Sequence, residues 1–344
     1  MAVPQGLFTG STATGRGRMW HEVLTRLADR CDLRPVGESR RSQGMRPPDV
    51  WLFDGHLGPL HVQQPQVVQL HEAPWNEPES METLDQHFLD VVVEPSRQAA
   101  RAAAAVICPS ASAKQQIVED SDITAKKVYV AHHGVDHAVF HPGLPDGREI
   151  AVRYGADAAR PFVLSVASVH PRKNLEALRQ AVGQLAAEGL PHQLLMVGGP
   201  AHGRPDWEEL HRAVFEHLPA APDRVVEIPF GIDDHQIAAL MASADAFCLP
   251  SLSEGFGLPA AEAMACGAPT VLSRRGALIE VGADAAVMVD PTPEGIANGL
   301  RPLLVDPVQR EAIGYACAIR AQAFSWDTCV THWMEALTAA VGGR

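Results

Sequence analysis

The chain has 344 residues, 46% of them hydrophobic and 20% charged, enough apolar material for two domains and no sign of a disordered tail. Its formal net charge is −13, with both halves acidic, which argues against nucleic acid as a partner and against bulk attraction to anionic lipid. No run approaches the roughly 20 apolar residues that span a bilayer. The start, MAVPQGLFTGS, lacks the charged and apolar regions of a secretion signal. A cytoplasmic protein with at most peripheral membrane association is expected, and its six cysteines, with no CxxC pair, read as reduced core thiols.

Along the chain, short apolar runs alternate with helical patterns, the rhythm of a doubly wound parallel sheet. A weak strand near 7–9 precedes a helix with Met19, Trp20, Val23, Leu24 and Leu27 on one face. Strands follow at 33–36, 50–53, 67–70, 106–108 and 128–131, with an Ala-rich helix over 97–105. The turn-rich stretch 141–160 marks a junction, which places one domain at 1–145 and a second at 146–322. Second-domain strands are expected at 162–167, 194–197, 225–228, 246–249 and 270–272, with Leu175, Leu178, Val182 and Leu185 on one helix face. A last helix within 323–344 carries Val330, Trp333, Met334, Leu337 and Val341 on one side. The fold class is α/β, two Rossmann-like doubly wound domains, with ligands expected at the carboxyl ends of the strands.

Most of the chemistry sits in PSLSEGFGLPAAEAMACG, residues 250–267. Glu254 and Glu262 stand eight positions apart across a Gly-rich loop, and the helix after it is expected to open at Pro259, since proline suits a first helical turn. Glycines before a helix start expose backbone N–H groups to an anion, and the helix dipole adds to the attraction. Carboxylates beside such a site suit paired hydroxyls. A diphosphate flanked by diols, as in a nucleotide sugar, fits this layout. A departing diphosphate needs a metal or fixed cations. Asp233-Asp234 reads better as a helix cap and first-turn acid than as a metal site, whereas SVASVHPRKNLEAL sets Arg172 and Lys173 in a loop before a helix opening near Asn174. In the first half, VVQLHEAPW ends an apolar run with His71-Glu72. Gly10 to Gly15 fits half of a phosphate-binding loop, but Arg16 and Gly17 follow where Lys and Ser or Thr are required. His133, His137 and His141 are spaced by four, yet a zinc site needs a full shell of ligands, and no metal is expected.

The segment SEGFGLPAAEAMACGAPTV resembles the Glu-x7-Glu signature of retaining glycosyltransferases of family 4, the glycosyltransferase group 1 set. The resemblance implies a GT-B fold, two domains facing across a cleft, with the segment 323–344 crossing back to the first. It implies that Glu254 contacts a donor sugar, Glu262 the ribose, and the amides of Gly255, Phe256, Gly257 and Leu258 the diphosphate and sugar. HPRKN looks like the family's G-x4-RKN phosphate motif, with Ala167 or Ser168 where a Gly is common, and assigns phosphate to Arg172 and Lys173. TATGRGR resembles the TGxGR loop, which gives Gly15 and Gly17 a backbone approach to the substrates. His71 stands where the family often has His-Asp, beside the anomeric carbon. GVDHAVFHP matches the family's interdomain junction, and PFGIDD resembles the loop that meets the nucleobase, around Gly231 and Ile232.

The implied activity is metal-independent retaining transfer of a hexose, of mannosyl or glucosyl type, in polysaccharide or glycoconjugate biosynthesis. The donor would be a nucleoside-diphosphate sugar, with no cofactor and no side-chain nucleophile, and the acceptor a carbohydrate or lipid-linked hydroxyl. A sugar-nucleotide epimerase on the same scaffold and a non-catalytic nucleotide-sugar-binding partner stay open. Only four of the 28 basic residues are Lys, a bias typical of GC-rich bacterial genomes.

Overall fold

Apolar runs of three to five residues, too short for helices, build two parallel sheets, and amphipathic helices close over them. A computed structural model describes residues 1–7, 15–36, 47–73, 89–198, 224–228 and 232–343. The chain divides into unit 1, Met1–Gly134 with Phe324–Arg344, and unit 2, Val135–Ala323.

Unit 1 holds strands β1 (Ala2–Pro4), β2 (Arg34–Val36), β3 (Trp51–Asp54), β4 (Gln66–Gln69), β5 (Ala105–Cys108) and β6 (Val128–Val130), in the order β2-β1-β3-β4-β5-β6. Its helices are α1 (Gly15–Ala28), α2 (Glu94–Ala102) and α3 (Ala111–Ser121). The first strand lies earlier than expected: Gln5–Leu7 is a 3-10 turn, and residues 8 and 9 fall outside the described ones. Ala2 and Val3 have their side chains buried and pair with β2, and Ala2 pairs with β3 as well, a placement that three residues ending in proline do not advertise. The apolar face of α1 is buried as its spacing requires, with Met19, Trp20, Val23, Leu24 and Leu27 in the core.

Unit 2 holds β7 (Phe162–Val166), β8 (Gln193–Val197), β9 (Val225–Ile228), β10 (Ala246–Leu249), β11 (Thr270–Ser273) and β12 (Val287–Val289), in the order β12-β11-β10-β7-β8-β9. Its helices are α4 (Gly147–Arg153), α5 (Leu175–Ala187), α6 (Asp234–Ser243), α7 (Leu258–Ala265), α8 (Ala277–Gly282), α9 (Pro293–Val305) and α10 (Pro307–Ala321). The edge strand β12, with Val287 and Met288 half-buried and Val289 buried, was not anticipated. Asp233 caps α6, its side chain accepting from the Gln236 amide in a reciprocal capping box.

The chain returns to unit 1 with α11 (Trp326–Gly342). This helix buries Trp326, Cys329, Val330, Trp333 and Leu337. Val341, expected on the same face, is exposed, since the helix runs past the edge of the core there. Trp333 meets Trp20 of α1 edge to face, ring centroids 5.4 Å apart. The backbone of Gly134 passes so close to Trp326 that a Cβ there would sit 2.1 Å from its amide nitrogen, and only glycine fits. All six cysteines are free, and five are buried.

Candidate functional site

In a doubly wound sheet, ligands gather where the winding reverses, beyond the carboxyl ends of the strands on either side. In unit 2 that point lies between β7 and β10. The loop after β7 carries Arg172 and Lys173, and the loop after β10 carries Glu254. Backbone and side-chain bonds stitch the two loops together. The Leu252 amide donates to the Arg172 carbonyl (2.8 Å), and Asn174 Nδ2 donates to the Pro250 carbonyl (3.2 Å) and the Pro291 carbonyl (2.8 Å). Asn174 takes a left-handed conformation, φ 55°, and so ends the short turn Pro171–Lys173 before α5 begins.

Within this frame Lys173 Nζ donates to Glu254 Oε1 at 2.5 Å, and Ser251 Oγ donates to the same oxygen at 2.7 Å. Arg172 Nη1 donates to the Ser253 carbonyl at 2.7 Å and reaches Glu254 Oε2 at 3.4 Å. Ser273, at the end of β11, donates in turn to the Ser251 carbonyl. Burial alone would raise the pKa of Glu254, but the adjacent Lys173 and Arg172 charges and the two hydrogen bonds outweigh it and bring it down to about 2. The carboxylate is therefore ionised throughout the working range. Arg172 is the more exposed of the two cations, so a ligand would meet it first.

Gly255, Phe256, Gly257 and Leu258 follow as a buried turn into α7. Gly257 has φ +93°, and a Cβ there would lie 2.5 Å from Leu278, which leaves glycine as the residue the turn admits. Leu258 is the first helical residue, with Pro259 second rather than first. Glu262, one turn into α7, is buried. Ile232 directly precedes the cap of α6, and Gly231 lies outside the described residues.

In unit 1 the winding reverses between β1 and β3. Gly15 and Gly17 lie in the first turn of α1 rather than in a loop. Between them Arg16 sends Nε to Asp54 Oδ2 at 2.8 Å. Asp54 ends β3 and is 3% exposed. It also accepts from Trp20 Nε1 at 3.1 Å and from the His56 ring through a very short contact. Desolvation would raise its pKa, yet His56, His71 and Arg16 hold it well below the usual carboxylate range. His71, two residues beyond β4, places Nε2 at 3.8 Å from Asp54 Oδ2. Burial lowers its pKa to about 4 against the opposing pull of Asp54, so the ring is neutral at neutral pH. Its ring stands edge-on to His133, centroids 6.1 Å apart, and His133 stacks on Trp326 at 5.9 Å.

Of the site residues read from the sequence, Arg172, Lys173 and Glu254 converge, Gly255 to Leu258 and Glu262 follow on the same loop and helix, and His71, Gly15 and Gly17 belong to unit 1. Ser251 and Asp54 escaped notice. Asp54 takes its meaning from partners distant in sequence, whereas Ser251 bonds Glu254 only three residues on.

A profile described as "Glycosyl transferases group 1" matches residues 146–318, half of the chain. The chain belongs to this family. Among relatives of this group 1 member, an MMP alpha-(1->4)-mannosyltransferase from Mycolicibacterium hassiacum is 29% identical over 72% of the chain and 57% of the relative. A GDP-mannose-dependent alpha-(1-6)-phosphatidylinositol dimannoside mannosyltransferase from Mycobacterium tuberculosis is 30% identical over 68% of the chain and 57% of its own length. The chain thus spans little more than half of either relative. The solved structure of HepE from Anabaena, in complex with UDP and glucose, superimposes with a TM-score of 0.71 at 19% identity over 98% of both chains. This likeness carries the fold, GT-B with two six-stranded parallel sheets. Among the described residues no helix is long and apolar enough to cross a membrane.

Proposed function

We propose that this group 1 member is a retaining, metal-independent hexosyltransferase, moving a mannosyl or glucosyl group from a nucleoside-diphosphate sugar to a hydroxyl of a carbohydrate or lipid-linked acceptor. The observation that carries the reading is the convergence of Arg172 and Lys173 on Glu254 beside the Gly257 turn that opens α7. Breaking the bond between the anomeric carbon and the diphosphate leaves growing negative charge on phosphate oxygens. A guanidinium, an ammonium and the amides of a helix start supply fixed positive charge for it without a metal. Glu254, ionised and held in place by Ser251, keeps the two cations oriented and offers carboxylate lone pairs to a sugar hydroxyl. Glu262 takes the ribose, Gly231 and Ile232 the base, and His71, Gly15 and Gly17 serve from unit 1.

The relatives' names, both mannosyltransferases and one GDP-mannose-dependent, support a mannosyl donor. A role in polysaccharide or glycoconjugate synthesis, at a cytoplasmic location with at most peripheral membrane contact, is part of the same reading. The test is to incubate the full chain with GDP-mannose or UDP-glucose, glycan and lipid-linked acceptors, and EDTA. Product anomeric configuration is then read by NMR. Transfer that keeps the donor configuration and survives EDTA is expected. Donor isomerised without transfer would make the protein an epimerase, and donor bound but never consumed would make it a binding protein.

A further inference from the structure

The register Asp54↔Gln69 between β3 and β4 brings Asp54 level with the strand end that leads into His71. The two side chains meet at the carboxyl edge of the unit 1 sheet. His71 Nε2 is buried and makes no hydrogen bond among the described residues, and it faces Asp54 Oδ2 across 3.8 Å. A neutral imidazole has two forms. With the proton on Nδ1, the Nε2 lone pair would point at a buried carboxylate. With the proton on Nε2, the positive end of an N–H bond points there instead. In a poorly screened interior the second arrangement is favoured, and the group that faces one ring nitrogen decides what the other can do.

We infer that Asp54 is a positioning residue for His71, holding the tautomer with its proton on Nε2 and leaving the Nδ1 lone pair to accept a hydrogen bond from a substrate hydroxyl. The part played in the reaction rests on the reading of His71 given above, and the tautomer itself does not. Other contacts brace the pair. Arg16 and Trp20 fix the Asp54 carboxylate from α1, and His56 holds its second oxygen. On the far side His133, set edge-on at 81° and stacked on Trp326 of α11, limits rotation of the His71 ring. Asp54, Arg16, His56 and His133 are the charged or titratable groups that bear on His71, and burial leaves it uncharged at neutral pH.

The test is nitrogen NMR of the full chain carrying 15N-histidine, with the His71 signals assigned by their loss in His71→Gln. The expected spectrum has a protonated Nε2 and a bare Nδ1. A proton on Nδ1, or signals averaged between the two tautomers, overturns the proposal. Asp54→Asn should bring on that averaging and lower kcat by about tenfold, with little change in donor KM. Unchanged tautomer and turnover in Asp54→Asn would equally overturn it. Should Asp54→Asn fail to fold, the wild-type spectrum still decides, and Trp20→Phe, which removes one Asp54 partner but leaves the carboxylate, is expected to keep the Nε2–H form. A fully active His71→Ala beside the expected wild-type spectrum would sink the part of His71 in the reaction and leave the hold of Asp54 on the ring intact.

Discussion

The two switch points of this chain share a plan and differ in chemistry. Each sets a buried carboxylate at the carboxyl edge of its sheet, Asp54 as the last residue of β3 and Glu254 in the loop after β10, against a basic residue from the segment that follows the neighbouring strand. Around Glu254 the partners are Lys173, Arg172 and a serine hydroxyl. Around Asp54 the partners are an indole, a half-exposed Arg16 and two imidazoles. The first arrangement is a fixed field suited to an anion. The second balances its charge and sets proton positions, which suits hydroxyl groups.

Matched substitutions test that contrast most strongly. Lys173→Met takes from the buried Glu254 carboxylate its nearest cation, leaving Ser251 and the longer Arg172 contact, and should cost about 3 kcal/mol of unfolding free energy, measured by urea denaturation. Adding Glu254→Gln should restore part of the stability and none of the transfer activity. Arg16→Met should cost only about 1 kcal/mol, because Arg16 is 44% exposed and Asp54 keeps Trp20 and His56. Equal losses at the two positions would erase the distinction. Next in size, Arg172→Ala should lower kcat and kcat/KM alike by about 100-fold while changing stability little. Unchanged turnover would remove Arg172 from the reaction.

Acid separates the units by a smaller effect. His71 and His133 have folded pKa values pressed down to about 4 and about 3, so protonation favours the unfolded chain. Their contribution to stability is lost as pH falls from 6.5, by about 1 kcal/mol per histidine near pH 5.5. Glu254, depressed to about 2, contributes stability above about 4.5 that is lost only below it. Hydrogen-exchange protection, corrected for intrinsic rates, should therefore weaken in β5 of unit 1 before β10 of unit 2 as pH drops from 7 to 5. Simultaneous weakening of both strands would contradict the assignment.

What could be read in advance followed how locally each feature is encoded. The α1 face and strand β10 emerged with their boundaries because burial imposes a period or an unbroken apolar run on neighbouring residues, and β9 emerged as well although Glu227 interrupts its apolar run. The Glu254 loop was readable because carboxylates, glycines and helix start lie within one stretch. Its meeting with Arg172 and Lys173, across some 80 positions, followed from a departing diphosphate's need for fixed cations and from the family resemblance rather than from any local pattern. The triplets Ala2–Pro4 and Val287–Val289 were missed, whereas the equally short β2 and β6 were read. Asp54 was missed too. Its partners Trp20, Arg16 and His71 come from two different segments, and no spacing rule joins them.

The sequence order of the two units bears on how the protein is made. Unit 2 is written in one uninterrupted piece, Val135–Ala323, so all of its strands are synthesised before α11. Unit 1 must wait. Trp20 and the rest of the α1 face lack their partner until Trp333 is translated, and Gly134 has no Trp326 to lie against. Of the two units the one begun first is thus completed second, and a chain stopped short of Phe324 leaves the α1 face without its cover.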